Sequence, residues 1–216
     1  MPRTTPKRPA RPARRKPIQE RSQETVRAIV DAAARILPRR GYAHTTTNEI
    51  AARAGVSIGS LYEYFRDKDA IVRALIDRHF AEAEAMFEER VASVAPRVTT
   101  MPLEDVLRVL VQAFLDFHAD NPRLHTVLSL EVPLSRALVR RVEQFELRIV
   151  EVLEFVLGGH PESQVRSPRL SAQLCVQLVD ALAHRWVTDK AGEPVGAQEL
   201  ADEMTKLLSA YVRAPS

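Results

Sequence analysis

The stretch GYAHTTTNEIAARAGVSIGSLYEYFRDKDAIVRAL, residues 41–75, contains the pattern of two short helices joined by a tight turn. Thr46 followed three residues later by Glu49 is a capping box, in which the hydroxyl and the carboxylate each accept a backbone N–H at a helix start. Gly55 ends this helix because glycine tolerates the positive φ that a sharp reversal requires. Ser57 then caps a second short helix.

The second short helix is predicted over residues 58–65. Two steeply crossing helices need a small residue at their contact, a glycine in the turn and a branched apolar residue facing back. Ala51, Gly55 and Leu61 supply these three features. The other predicted inward positions are Ile50, Ala54, Val56 and Tyr64. The combination indicates a helix-turn-helix, a motif that places its second helix in the major groove of DNA.

The rest of the chain is also predicted to be helical, because apolar residues recur at intervals of three and four and only 7 of the 216 residues are glycine. Further helices are predicted over residues 23–37, 68–95, 103–119, 123–131, 134–157, 168–188 and 197–212. Pro38 is expected to end or kink the first of them, and Gly41 is expected to mark its stop. We therefore expect an all-α protein of about nine helices, with a DNA-binding domain at residues 22–66 and a larger helical domain at 67–216.

Residues 1–21 form a basic tail that carries eight Lys or Arg and one Glu, whereas the remaining 195 residues sum to −4. Five prolines and few apolar residues predict that this tail is disordered. It could enter the minor groove as an arm, tether the protein to phosphates without sequence preference, or only improve solubility. We favour the arm or the tether.

The remaining composition argues against several other classes of protein. Cys175 is the single cysteine, which excludes an intrachain disulfide and a cysteine-based zinc site and fits a reducing compartment. No apolar run is long enough to cross a membrane and no apolar segment follows the basic N-terminus, so we expect a cytoplasmic protein. Of six histidines only His118 and His125 lie close together, and none forms a metal-binding motif. We expect no metal, no cofactor and no catalytic residue, and an inert buried thiol at Cys175.

The segment 41–75 resembles the N-terminal signature of the TetR family of transcriptional regulators. The resemblance lies in TT-x-x-x-IA, AGVS, LY-x-x-F and the D-K-D opening of the fourth helix. It implies an all-α homodimer in which helices 1–3 bind DNA and helices 4–9 form a ligand pocket and the dimer interface. The sequence departs from the family pattern at Pro38, where the family usually has a residue compatible with an unbroken helix 1, and at Ile58, where Lys or Arg is common.

The resemblance also assigns candidate DNA-binding residues by position. They are Thr46, Thr47, Ser57, Ile58, Gly59, Ser60, Tyr62, Tyr64 and Lys68. The short side chains of residues 57–60 would face base edges, so DNA shape and backbone fit are expected to contribute to specificity, and Ile58 could contact a thymine methyl group. The others would bind phosphate oxygens. For Tyr64 plain packing is an equal alternative, and Lys68 could be a solvated surface charge.

Candidate pocket residues are the aromatic and apolar side chains on the helices that line the family's pocket. They are Phe87, Phe114, Phe117, His118, Leu128, Phe145 and Trp186. Each could equally be a core residue, but the set suggests an apolar or aromatic effector with few polar anchors. Helices 8 and 9 carry more apolar residues than a monomer core needs, which predicts a homodimer through these two helices.

The function expected from these observations is that of a ligand-responsive regulator, a repressor that binds a palindromic operator and is released by a small molecule. Its two recognition helices would enter major grooves about 34–36 Å apart. One alternative is a DNA-binding architectural protein without a ligand, for which the basic tail argues. The other is an enzyme that uses the histidines.

Overall fold

The computed structural model describes residues 15–133, 135–188 and 195–215. Within these ranges the chain forms nine α-helices, one 3-10 turn and no strand, which confirms the predicted all-α class. The helices are α1 Arg15–His44, α2 Thr47–Ala54, α3 Ile58–Tyr64, α4 Lys68–Val94, α5 Leu103–Ala119, α6 Pro122–Leu130, α7 Arg136–Gly159, α8 Pro168–Thr188 and α9 Ala197–Arg213, with the 3-10 turn at Ala95–Arg97. None of the described helices combines the length and the apolar character needed to cross a membrane.

The first helix differs from its prediction at both ends. It begins at Arg15, so residues 15–21 of the predicted disordered tail are helical, and residues 1–14 lie outside the described residues. Pro17 is tolerated there because the first N–H groups of a helix have no partner within it. Pro38 does not end the helix either, since the neighbouring Leu37 is fully buried and its packing outweighs the lost hydrogen bond. The helical geometry is interrupted at Gly41, with φ 74° and ψ 168°, which is the position at which the sequence predicted a stop.

Two hydrophobic clusters hold the fold together. The N-terminal core joins α1, α2, α3, the first half of α4, α6 and the start of α7; the C-terminal core joins the second half of α4 with α5, α7, α8 and α9. Helix α5 is central in the second cluster, where it contacts α4, α8 and α9 and buries Leu103, Leu107 and Leu115 completely. Its boundaries agree with the prediction made from its nearly continuous apolar sequence.

Helix α4 belongs to both clusters. Its 27 residues span about 40 Å at the usual rise of an α-helix. Ile71 and Leu75 are buried in the N-terminal core, whereas Phe87 is buried in the C-terminal core. Helix α6 also connects the two parts, because it packs against α1 on one side and against α8 on the other. Both helices therefore link the candidate DNA-binding part to the larger helical part.

Candidate DNA interface and ligand cavity

The turn between α2 and α3 has the geometry that the sequence predicted. Thr46 caps α2 and forms a complete capping box with Glu49, whose carboxylate also pairs with Arg40. Gly55 takes a left-handed conformation with φ 70° and ψ 28°, and its N–H caps the end of α2. A Cβ built on Gly55 would meet none of the described atoms within 4 Å, so the backbone angle, and not space, requires glycine there.

The first turn of α3 presents small residues to the surface. Ser57 caps the helix by accepting a hydrogen bond from the Ser60 amide at 3.0 Å, and its own hydroxyl donates to Ser60 Oγ at 2.9 Å. The Ser60 hydroxyl proton is then free to donate outward. Ile58 and Gly59 are exposed beside them. A Cβ on Gly59 would meet only Ser57 Oγ among the described atoms, at an ordinary 3.7 Å, so the fold itself does not require glycine here.

The two candidate tyrosines of α3 both lie on the surface. Tyr62 is 51% exposed, and its hydroxyl is 3.0 Å from that of Thr47, which links α3 to α2. Tyr64 is 37% exposed, so the expectation that it fills an inward position of the motif was wrong. Phe65, at 7% exposure, occupies that place, because it lies one helical turn after the buried Leu61.

Lys68 is part of the contact between α1 and α4. Its Nζ donates to the backbone oxygen of Tyr42 at 2.6 Å and lies 4.2 Å from the centre of the Tyr42 ring. The Tyr42 hydroxyl donates to Asp69, and this hydrogen bond raises the pKa of Tyr42 to about 12. The Tyr42 amide donates to Glu131 at the end of α6, at 2.7 Å. Tyr42 therefore connects α1 with the start of α4 and the end of α6.

A cavity of about 240 Å³ lies between α4, α5, α6, α7 and α8. Its apolar lining consists of Ile76, Phe80, Ala83, Phe87, Ala113, Phe114, Phe117, Leu128, Leu138, Val142, Phe145 and Ile149. Its polar lining consists of His79, His118, His125, Ser129, Glu146, Asp180 and His184. Six of the seven predicted pocket residues are among them, and Trp186 is not.

Trp186 lies on another side of α8. Its indole N–H donates to the backbone oxygen of Val195 at 2.8 Å, and its ring packs against the C-terminal core. Asp180 and His184, four residues apart, are the residues of α8 that face the cavity. Trp186 follows His184 by two positions, which is about 200° around a helix, and this rotation takes it away from the cavity.

Four histidines from four different helices gather at the cavity. His118 Nδ1 lies 2.8 Å from the Phe114 backbone oxygen, and His125 Nε2 lies 3.3 Å from His184 Nδ1. Burial lowers the pKa of His118, and it lowers the pKa of His125 to about 3, so both rings are neutral at pH 7. His79 stacks on Phe117 at 4.5 Å, and its buried Nε2 has no hydrogen-bond partner among the described residues.

The sequence pattern did not reveal this cluster, because His79 and His184 lie far along the chain from His118 and His125. The four-residue spacing of Asp180 and His184 puts both side chains on one face of α8, and this was the local signal in the sequence. One part of the mainly apolar cavity wall carries imidazole and carboxylate groups, which the choice of aromatic and apolar candidates did not include, apart from His118.

Both parts of the chain match known families. Residues 29–75 match the family described as bacterial regulatory proteins, tetR family. Residues 102–211 match the tetracyclin repressor-like C-terminal domain, and this match alone covers just over half of the chain. The chain belongs to the TetR family.

Individual TetR-family proteins resemble the chain over most of its length. The probable HTH-type transcriptional regulator ArpR of Pseudomonas putida is 44% identical over 185 residues, which cover 78% of this chain and 83% of ArpR. The HTH-type transcriptional regulator TtgR of Pseudomonas putida is 33% identical with the same coverage. The structure of FadR from Bacillus subtilis in complex with stearoyl-CoA has the same fold, with a TM-score of 0.60 at 22% identity over 85% of this chain and 97% of FadR. The chain is accordingly a helix-turn-helix transcriptional regulator.

Proposed function

We propose that this TetR-family regulator is a repressor that binds a palindromic operator as a homodimer and is released when a small molecule enters the cavity. The observation that carries the proposal is the position of α4. Its first turns pack in the N-terminal core that supports α3, while Ile76 and Phe87 on the same helix line the cavity. A ligand that displaces α4 would therefore move the recognition helix.

In this proposal α3 enters the major groove with Ser57, Ile58, Gly59 and Ser60 at the base edges. The first turn of α3 supports this assignment because its side chains are short and largely exposed, and backbone can approach DNA closely there. Thr46, Thr47, Tyr62, Tyr64 and Lys68 would bind phosphate oxygens around the groove. The Thr47–Tyr62 contact would hold two of these hydroxyls at one place on the DNA backbone.

The proposed dimer interface consists of exposed apolar residues on α8 and α9. Leu170, Leu174 and Leu178 follow each other at intervals of four and form an exposed stripe along α8. On α9, Leu207 and Tyr211 are also exposed, and the Tyr211 hydroxyl lies 3.1 Å from that of Ser171 on α8. The two stripes are therefore neighbours, and a two-fold axis through them would bury both.

The proposed effector has an apolar or aromatic body and a polar end. The phenylalanines of the cavity would contact its body, and the histidines with Asp180 and Glu146 would bind its polar group. Partial burial raises the pKa of Glu146 above its ordinary value.

The release mechanism that we propose passes through α4 and α6. Both helices line the cavity, and both contact Tyr42. Helix α4 does so at its start through Lys68, and α6 does so at its end through Glu131. Because Tyr42 lies in the last turn of α1, just before α2, a shift of α4 or α6 would change the orientation of the DNA-binding part. A change in the separation of the two recognition helices would then weaken binding to a site of fixed spacing.

Selection of bound DNA from a random pool tests the proposal directly. The full-length protein is expected to enrich a palindrome whose half-sites lie one helical turn apart, and failure to enrich any such site would refute the central claim. The selected duplex then serves in a release assay with a library of amphiphilic aromatic compounds. An architectural protein would bind the DNA without any compound lowering its affinity.

A further inference from the structure

The strongest unassigned feature of the molecule is the arrangement of three imidazoles at the cavity wall. The rings of His118, His125 and His184 each offer a nitrogen, and the three nitrogens all lie within 4.8 Å of one another. The rings come from α5, α6 and α8, so the tertiary fold, and not a local turn, brings them together. His118 and His125 are buried and His184 is half-buried.

The spacing of these nitrogens fits a small cation. Zinc binds imidazole nitrogen at about 2.0–2.1 Å in tetrahedral geometry, which places two ligand nitrogens about 3.3–3.4 Å apart. His125 Nε2 and His184 Nδ1 are already 3.3 Å apart. The nitrogen of His118 has to approach them by no more than about 1.5 Å to complete the set, a displacement that side-chain rotation can supply.

The protein also fixes which nitrogen of His118 is available. A carbonyl oxygen can only accept, so the 2.8 Å contact with the Phe114 oxygen places a proton on His118 Nδ1. His118 Nε2 then carries the lone pair and is the ring nitrogen that can bind a cation. Histidines that bind metals commonly donate their second N–H to a carbonyl or carboxylate in this way.

A negative charge lies beside the three rings. Asp180 Oδ1 is 3.9 Å from His118 Nε2, and Asp180 precedes His184 by one turn of α8. A divalent cation in an apolar cavity requires such a compensating charge. Nitrogen ligands favour zinc and its first-row neighbours over Mg²⁺ and Ca²⁺, which prefer oxygen.

We propose that His118, His125 and His184 form a binding site for a divalent transition metal ion, with Zn²⁺ as the best match, and that Asp180 provides the compensating charge. Three protein ligands leave the fourth tetrahedral position open towards the cavity. A small molecule with a carboxylate, phenolate or thiolate group would bind there. This assignment rests on the proposed function in one respect, because the metal ion would bind the polar group of the proposed effector.

Metal binding can be measured on the full-length protein without DNA. The protein is stripped with a chelator and titrated with Zn²⁺ in a calorimeter and with Co²⁺ in a spectrophotometer. We expect one ion per chain, a Kd below about 1 μM and the intense visible bands of tetrahedral Co²⁺. Absence of a stoichiometric site for either ion would overturn the proposal.

The variants His118→Gln, His125→Gln and His184→Gln are each expected to weaken Zn²⁺ binding at least about 100-fold, and Asp180→Asn about 10-fold. His160→Gln is the matched control, because His160 is also buried but bonds the Met101 backbone oxygen away from the cluster. Equal loss in His160→Gln would refute the assignment to these rings. Replacing the buried rings of His118 or His125 could unfold the chain. His184 is only half-buried, so His184→Gln tests the site in a folded protein.

The outcome separates this proposal from the proposed function. If an operator is selected and no metal binds, the proposal of a metal site is wrong, and the proposal of a repressor is unaffected. If metal binds, the variants weaken it as expected and no operator is enriched, the metal site is supported and the proposal of a repressor is wrong. Operator affinity of the stripped and the metal-loaded protein then shows whether the ion itself changes DNA binding.

Discussion

Gly59 shows how a single position can separate folding from DNA binding. Gly59→Ala is expected to leave the unfolding free energy unchanged or to raise it by up to about 1 kcal/mol, because alanine is the better helix former and its Cβ has space. The same methyl group would lie against the DNA, so operator affinity should fall at least about tenfold. Fluorescence anisotropy with labelled operator and urea denaturation measure the two quantities.

Gly159→Ala is the control for this variant, since Gly159 ends α7 far from α3 and a Cβ there would meet none of the described atoms within 4 Å. Its operator affinity should equal that of the parent. An unchanged affinity in Gly59→Ala would mean that the first turn of α3 does not approach the DNA closely.

Cys175 allows a test of burial in the C-terminal core. Burial raises the pKa of its thiol to about 11, so at pH 8 only about one thiol in a thousand is ionised. We expect a disulfide reagent to react with the native protein far more slowly than with the protein in urea. Absorbance of the released thiolate follows the reaction, and fast labelling of the native protein would show that this core opens readily.

At the scale of elements, Glu84 holds α4 to α7. Its carboxylate accepts from Arg141 at 3.1 Å and from Arg148 at 2.7 Å, and the Arg141 hydrogen bond is the main reason that its pKa lies below the ordinary 4.5. Since the folded-state pKa is lowered, this stabilisation is present above about pH 4.5 and is lost as the pH falls through the folded-state value.

Arg141→Met is therefore expected to lower the unfolding free energy by about 1 kcal/mol at pH 7. The difference in unfolding free energy between the variant and the parent should become smaller below about pH 4.5. Urea denaturation across this pH range measures the effect. Arg140→Met removes an equal charge from the exposed neighbouring position and should change stability much less. A constant difference at all pH values would rule out the carboxylate of Glu84 as its cause.

The sequence predicted most elements because their ends carry strong local chemistry. Thr46, Gly55 and Ser57 cap or end helices through hydrogen bonds within a few residues, and the structure contains all three features. Pro38 does not end α1, because the free energy lost with its missing hydrogen bond is smaller than the free energy gained by the tertiary packing of the residues beside it. Local rules describe neighbours along the chain and do not include packing partners.

The candidate site was predictable to a different degree in its two parts. The first turn of α3 follows from capping and turn residues that are adjacent in sequence. The cavity depends on five helices, so its aromatic residues could be named while the orientation of Trp186 and the convergence of the histidines could not. Which face of α8 points inward is decided by its packing against α6 and α7.

At the scale of the molecule, the exposed stripe of α8 makes the dimer testable. Leu174→Glu would place a charge in the proposed interface, and we expect a monomer by analytical ultracentrifugation and a loss of operator affinity of at least about 100-fold. Leu147→Glu is the control, because Leu147 is similarly exposed but lies on α7 beside Arg148. A dimeric Leu174→Glu protein would place the interface elsewhere.

The basic tail supplies a second test at this scale. Because α1 begins at Arg15, deletion of residues 1–14 leaves the helix whole and removes five Lys or Arg. We expect weaker operator binding and a smaller slope of log affinity against log salt, by up to about 0.9 for each phosphate that the tail neutralises. The same affinity and slope as the full chain over a salt series would show that the tail has no role in binding.

Helix α8 has the proposed dimer stripe on one face and two cavity residues, Asp180 and His184, on an adjacent face. In the proposed dimer the two cavities would therefore be separated by little more than a pair of these helices. A ligand that shifted α8 in one subunit would change the cavity of the second before that cavity was filled. Gene expression would then rise more steeply than in proportion to effector concentration, and a cell would respond only above a threshold concentration of the effector.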